Sequence, residues 1–110
     1  MNTFNTYQER TTKMAMVAED DKRLLIYIMG LSGETGEVSE KFKKMYRDAD
    51  GKMSLEFKED VKKELGDVLW YVSSIAHELG FTLEEVAQAN IDKIESRRAR
   101  NVQHGNGDDR

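Results

Sequence analysis

Apolar residues recur along this chain every three to four positions, the spacing that gathers them on one side of an α-helix. Phe4, Tyr7, Met14 and Val17 trace such a face first, and Thr3 ahead of them predicts an N-cap for a helix running to about Ala18. Glu19-Asp20-Asp21 breaks the pattern. Asp20 or Asp21 is then expected to cap a second helix carrying Leu24, Tyr27, Ile28, Leu31, Val38, Phe42 and Met45 along one stripe. Gly30, Gly33 and Gly36 each lower its intrinsic helicity by about 1 kcal/mol, which predicts a bend or the close approach of a neighbouring backbone. Arg47 to Lys52 reads as a polar turn. Its Asp-x-Asp-Gly is out of register for a calcium loop: with Gly51 at the invariant glycine, Tyr46 and Phe57 fall where that loop needs carboxylates.

Ser54 predicts the N-cap of a third helix whose core face is Val61, Leu65, Val68, Leu69, Val72, Ile75, Ala76 and Leu79. Gly80 stops it, and Thr82-Leu83-Glu84-Glu85 has the capping-box form that starts a fourth. The inner face of that helix is expected to be Leu83, Val86, Ala87, Asn90, Ile91 and Ile94. The pattern predicts an all-α four-helix domain over residues 1–100, followed by a polar tail, 101–110, expected to be disordered.

Composition sharpens this picture. Apolar residues make up 38% and charged residues 35%, with no proline, a mixture suited to long amphipathic helices with solvated outer faces. At 110 residues the core will be thin unless partner subunits help to cover it. A formal charge of −4 argues against a polymeric nucleic acid as partner, which would want a basic stripe. The longest apolar run, Leu24 to Met29, is too short to span a membrane. The absence of cysteine removes disulfides, thiolate metal sites and thiol nucleophiles, and nothing at the start reads as a signal peptide, so a cytoplasmic protein is expected.

One short pattern appears twice on these helices. Glu34-Thr35-Gly36-Glu37-Val38 is matched by Glu64-Leu65-Gly66-Asp67-Val68, each with two carboxylates three residues apart around a glycine. In each copy the acids stand at one edge of the apolar stripe. Such pairs are ordinary on solvated faces, and Glu37 with Lys41 makes an i,i+4 helix pair worth only about 0.3 kcal/mol. Their joint occurrence, with no basic residue four positions after Glu34 or Glu64, points further. Four carboxylates brought together by two packed helices would repel unless cations joined them. Oxygen-only ligands suit Mg2+, with Mn2+ as an alternative; zinc or di-iron would want histidine, and neither His77 nor His104 stands at that spacing from the acids. Magnesium commonly completes its coordination with water and substrate phosphates, so the set suggests phosphate-ester or phosphoanhydride hydrolysis, with a carboxylate accepting the proton of a cation-activated water.

In an all-helical chain of this length, Glu-x-x-Glu, a turn and then Glu-x-x-Asp resembles the MazG-like nucleoside triphosphate pyrophosphohydrolases. The flanks of the acids, Gly33 to Lys41 and Lys63 to Tyr71, are similar too, as are Phe4-Asn5-Thr6-Tyr7-Gln8 and Asn90-Ile91-Asp92-Lys93-Ile94. The chain departs from the family pattern at Gly33, where members often carry a further glutamate. The resemblance implies a magnesium-dependent cleavage of a (deoxy)nucleoside triphosphate to monophosphate and pyrophosphate. It also implies Glu34, Glu37, Glu64 and Asp67 as catalytic metal ligands, and a helical bundle completed as a homodimer or homotetramer.

Substrate contacts are expected from Lys41, Lys93 and Arg97, which could meet the triphosphate's charge. Asn90 lies on the expected apolar stripe, where an unpartnered amide would cost about 1–3 kcal/mol, and the family suggests the nucleotide as its partner. Tyr71 borders the core beside Asp67 and is expected either to pack or to hydrogen-bond near the site. Trp70 is assigned to the outer, polar side of its helix, as an interface residue or a stacking surface for a base bound by a neighbouring chain. The rival reading is a non-catalytic helical oligomerisation or regulatory protein holding the acids as an ion-stabilised feature.

Overall fold

A computed structural model describes residues 3–102 and 104–108. Four helices account for the described secondary structure: α1 (Phe4–Met14), α2 (Arg23–Asp48), α3 (Leu55–Glu78) and α4 (Leu83–Ala99). Three begin where the sequence places a cap. The Thr3 hydroxyl accepts from Thr6 N, that of Ser54 from Phe57 N, and that of Thr82 from Glu85 N, with the Glu85 carboxylate returning to Thr82 N to complete the capping box.

Two boundaries differ from expectation. α1 ends at Met14 rather than near Ala18, because Met14 and Met16 have no surface to cover, Met16 being 97% exposed, so a further helical turn would gain no burial. The N-cap of α2 is Lys22, not Asp20 or Asp21; Asp20 acts a step earlier, its Oδ1 accepting from Lys22 N at 2.9 Å in the turn that leads into the helix.

α2 runs unbroken through all three glycines. The one that matters for packing is Gly30, where an added Cβ would collide with the ring of Tyr71. The expected close approach is therefore made by a side chain of α3, not by backbone. α2 and α3 form the largest contact of the fold and run in opposite directions: Gly30 meets Tyr71, while Lys41, farther along α2, meets Glu64, earlier in α3. α1 packs on α3, and α4 packs on α1 and α3 but not on α2. Buried Gln8 pins that corner: its Nε2 donates to Phe81 O at 3.0 Å, and its Oε1 accepts from Leu83 N at 3.1 Å.

The buried apolar set among the described residues is small: Tyr27, Met45, Ala76 and Leu83. Several positions read as core are open. Ile28 on α2, Leu65 and Leu79 on α3, and Val86, Ile91 and Ile94 on α4 are exposed, because α4 leans on two helices only and leaves the remaining apolar faces uncovered. The radius of gyration, 16.8 Å, exceeds the roughly 13 Å of a compact chain of this length. The expected tail, in its described residues 104–108, turns back along α4; residues 103, 109 and 110 lie outside the described set.

Candidate metal centre

The pairing of α2 with α3 brings the two acid motifs face to face. Carboxylate oxygens of Glu34, Glu64 and Asp67 all lie within 4.8 Å of one another. Oxygens at right angles on one Mg2+ stand about 3 Å apart and an opposed pair about 4.2 Å, so the three side chains would have to draw together to share one magnesium ion. Glu37, one turn after Glu34, is exposed and lies outside this trio, though close enough for its charge to act on Glu34.

The trio has too little positive charge around it. Lys41 Nζ lies 3.7 Å from Glu64 Oε1, so its ion pair crosses to α3 instead of joining Glu37 along its own helix, because α3 presents a carboxylate on the face toward which Lys41 points. Desolvation, then the charge of Asp67, then a hydrogen bond and charge from Glu64, and last Glu37, push the Glu34 carboxyl above its ordinary value. Three crowded acids that offer only oxygen, with one lysine paired to them among the described residues, fit a hard divalent cation.

Beside the acids, Glu34, Asp67, Trp70 and Tyr71 line an open cleft of about 330 Å3. Tyr71 lines this cleft while its ring packs on Gly30 and Trp70. Trp70 corrects its assignment: it is half-buried between α2 and α3, its ring centroid 5.7 Å from that of Tyr27 and 5.1 Å from that of Tyr71. Its ring packs edge-on against Tyr27 of α2, which covers this flank of the stripe. Tyr7 of α1, read in the sequence only as part of an apolar face, is near enough to the cleft that Asp67, after desolvation, raises its hydroxyl pKa. Trp70 had a sequence signal, its position one turn after Asp67. Tyr7 had none, since only the docking of α1 on α3 brings it there.

The expected contacts on α4 are not gathered with the acids. Asn90 is exposed, so its amide needs no partner within the chain and the argument from a buried amide does not apply; the cause is again that α4 packs on α1 and α3 but not on α2. It lines a separate groove of about 560 Å3 with Phe81, Glu85, Val86, Ala89 and Lys93. Lys93 Nζ pairs with Asp108 at 3.1 Å. Arg97 is only 7% exposed, and its Nη2 donates to the carbonyls of Gly107 and Asp108 and to the Asp108 carboxylate.

The fold and site define the class: an all-helical protein with a carboxylate cluster across an antiparallel helix pair that could hold a metal ion. The MazG nucleotide pyrophosphohydrolase domain profile matches residues 22–102, which contain α2, α3 and α4, and the chain belongs to that family. The match begins after α1, so the likeness of Phe4 to Gln8 to a family flank is not part of it. The Gene 37 protein of Mycobacterium phage L5 is 48% identical over 82 residues, covering 74% of this chain and 72% of that one. No solved structure matches the chain. Among the described residues no helix is long and apolar enough to cross a membrane.

Proposed function

We propose that this protein hydrolyses the α–β phosphoanhydride of a nucleoside triphosphate, yielding nucleoside monophosphate and pyrophosphate in a magnesium-dependent reaction. The observation that carries the reading is the convergence of Glu34, Glu64 and Asp67 within 4.8 Å on the α2–α3 pair of a MazG-family chain. A divalent cation held there, magnesium or manganese, would neutralise phosphate charge and lower the pKa of a water. Glu34, Glu64 and Asp67 would hold the cation. Glu37, exposed at the rim, is free to complete the set or to accept the water's proton. Lys41 at the edge can exchange its carboxylate partner for a phosphate, and the Tyr71 hydroxyl can hydrogen-bond to substrate in the cleft.

The working form is a homo-oligomer, a dimer or a tetramer. Support comes from the thin core, the exposed apolar residues of α4 and the extended shape, which together leave surface that a second copy can cover. Asn90, Lys93 and Arg97, remote from the trio in one protomer, would meet substrate only in such an assembly. Light scattering on the eluting protein at micromolar concentration should give a multiple of 12.7 kDa; a monomer overturns this part.

The decisive assay measures pyrophosphate release from common ribo- and deoxyribonucleoside triphosphates and damaged forms, with magnesium, with manganese and with chelator. Release should require the cation and be lost in Glu64→Gln and Asp67→Asn. Silence across the whole panel with either metal overturns the proposal and favours a purely associative helical protein.

A further inference from the structure

The cleft beside the acids has a charged wall, Glu34 and Asp67, and an aromatic wall, Trp70 and Tyr71. Trp70 follows Asp67 by one helical turn, which makes the two side chains surface neighbours about 5–6 Å apart at Cβ. Its indole is held in place. Tyr27 meets it at 78° and Tyr71 at 83°, and Tyr27 is itself buried, with Arg23 Nε donating to its hydroxyl at 3.1 Å. Both ring contacts are edge-on, and among the described residues no ring lies parallel to the indole. A flat, oriented and partly exposed aromatic surface therefore stands next to the oxygens that would hold the cation.

We propose that Trp70 stacks on the nucleobase of a nucleotide whose phosphates lie at Glu34, Glu64 and Asp67. This rests on the nucleotide reading above and adds its missing half, recognition of the base. Stacking uses a π-face that every base possesses, so Trp70 separates nucleoside triphosphates from base-free polyphosphates and discriminates only weakly among bases.

Trp70 is the chain's single tryptophan, so its emission reports on this ring alone. The full-length protein with magnesium is titrated with a non-hydrolysable α,β-imido deoxynucleoside triphosphate and, separately, with inorganic tripolyphosphate, while calorimetry follows each binding independently. The nucleotide should quench the emission saturably at its calorimetric Kd, and tripolyphosphate should bind without comparable quenching. Trp70→Leu should weaken nucleotide binding about tenfold or more, the scale of one lost base–aromatic stack, and Trp70→Phe should recover most of it. Tripolyphosphate affinity should be the same in all three proteins, whereas a tryptophan that only props the helices apart would weaken both ligands together and overturn the proposal. If the nucleotide binds and its natural counterpart is hydrolysed, yet the emission is unchanged and Trp70→Leu binds as tightly as wild type, the stacking role falls and the hydrolase stands. If neither ligand binds, both fall.

Discussion

Gly30 offers the sharpest test of how α2 and α3 fit. A Cβ at this position would collide with three atoms of the Tyr71 ring, and the ring has little freedom to retreat, since Trp70 lies against it and Tyr27 stands beside it. Gly30→Ala gains about 1 kcal/mol of helix propensity. Against this stands overpacking, which costs about 1–3 kcal/mol in a well-packed site. The net expectation is a loss of up to about 2 kcal/mol, or several degrees in Tm for a domain of this size. Gly33→Ala is the internal control, because its Cβ would meet nothing within 4 Å, so it should be stabilised by most of that propensity gain. Removing the ring should reverse the sign at Gly30: in a Tyr71→Ala background, Gly30→Ala becomes stabilising, and the cycle yields a coupling of about 1–3 kcal/mol. The assay is urea and thermal unfolding by circular dichroism at one fixed protein concentration, because Tm of an associating chain depends on it. Gly30→Ala as stable as Gly33→Ala, or a coupling near zero, would refute the packing argument.

Other expectations concern charge and capping. With Glu34 raised above its ordinary value, the folded state holds more protons than the unfolded one between the two values. Its contribution to stability is therefore full at low pH and lost as pH rises through the raised value. Magnesium binds the ionised cluster, so the Tm increase it produces should be larger at about pH 8 than at about pH 5; an increase independent of pH would count against the trio as its site. Glu34→Gln should be more stable than wild type without cation at about pH 8, and should lose the magnesium-induced Tm increase. In the pyrophosphate assay, Asp67→Asn should lower turnover on the order of 100-fold or more, the scale of losing one charge-stabilising group at a reacting centre. Thr82→Ala removes half of the capping box and should cost about 1 kcal/mol in denaturant unfolding, with turnover little changed.

Local chemistry was legible in the linear order of residues. Helix starts at Thr3, Ser54 and Thr82 follow from side-chain oxygens that satisfy otherwise unbonded amides, a matter of neighbours in sequence. The paired acids of the two motifs could be placed on the edges of their helices for the same reason, because the period of a helix is fixed by the backbone. The meeting of Glu34 with Glu64 and Asp67 was expected from the repeated motif and the family resemblance, while the charge cost of pairing those helices argued for a cation between them. What packing alone decided is which partner each face finds. It turned Lys41 toward Glu64, seated Tyr71 on Gly30, drew Trp70 inward and brought Tyr7 near Asp67, and it left Leu65, Asn90 and Ile94 exposed although their spacing marked them as inner positions. Periodicity identifies the side of a helix that seeks cover, whereas contact between helices distant in sequence determines whether that cover comes from this chain.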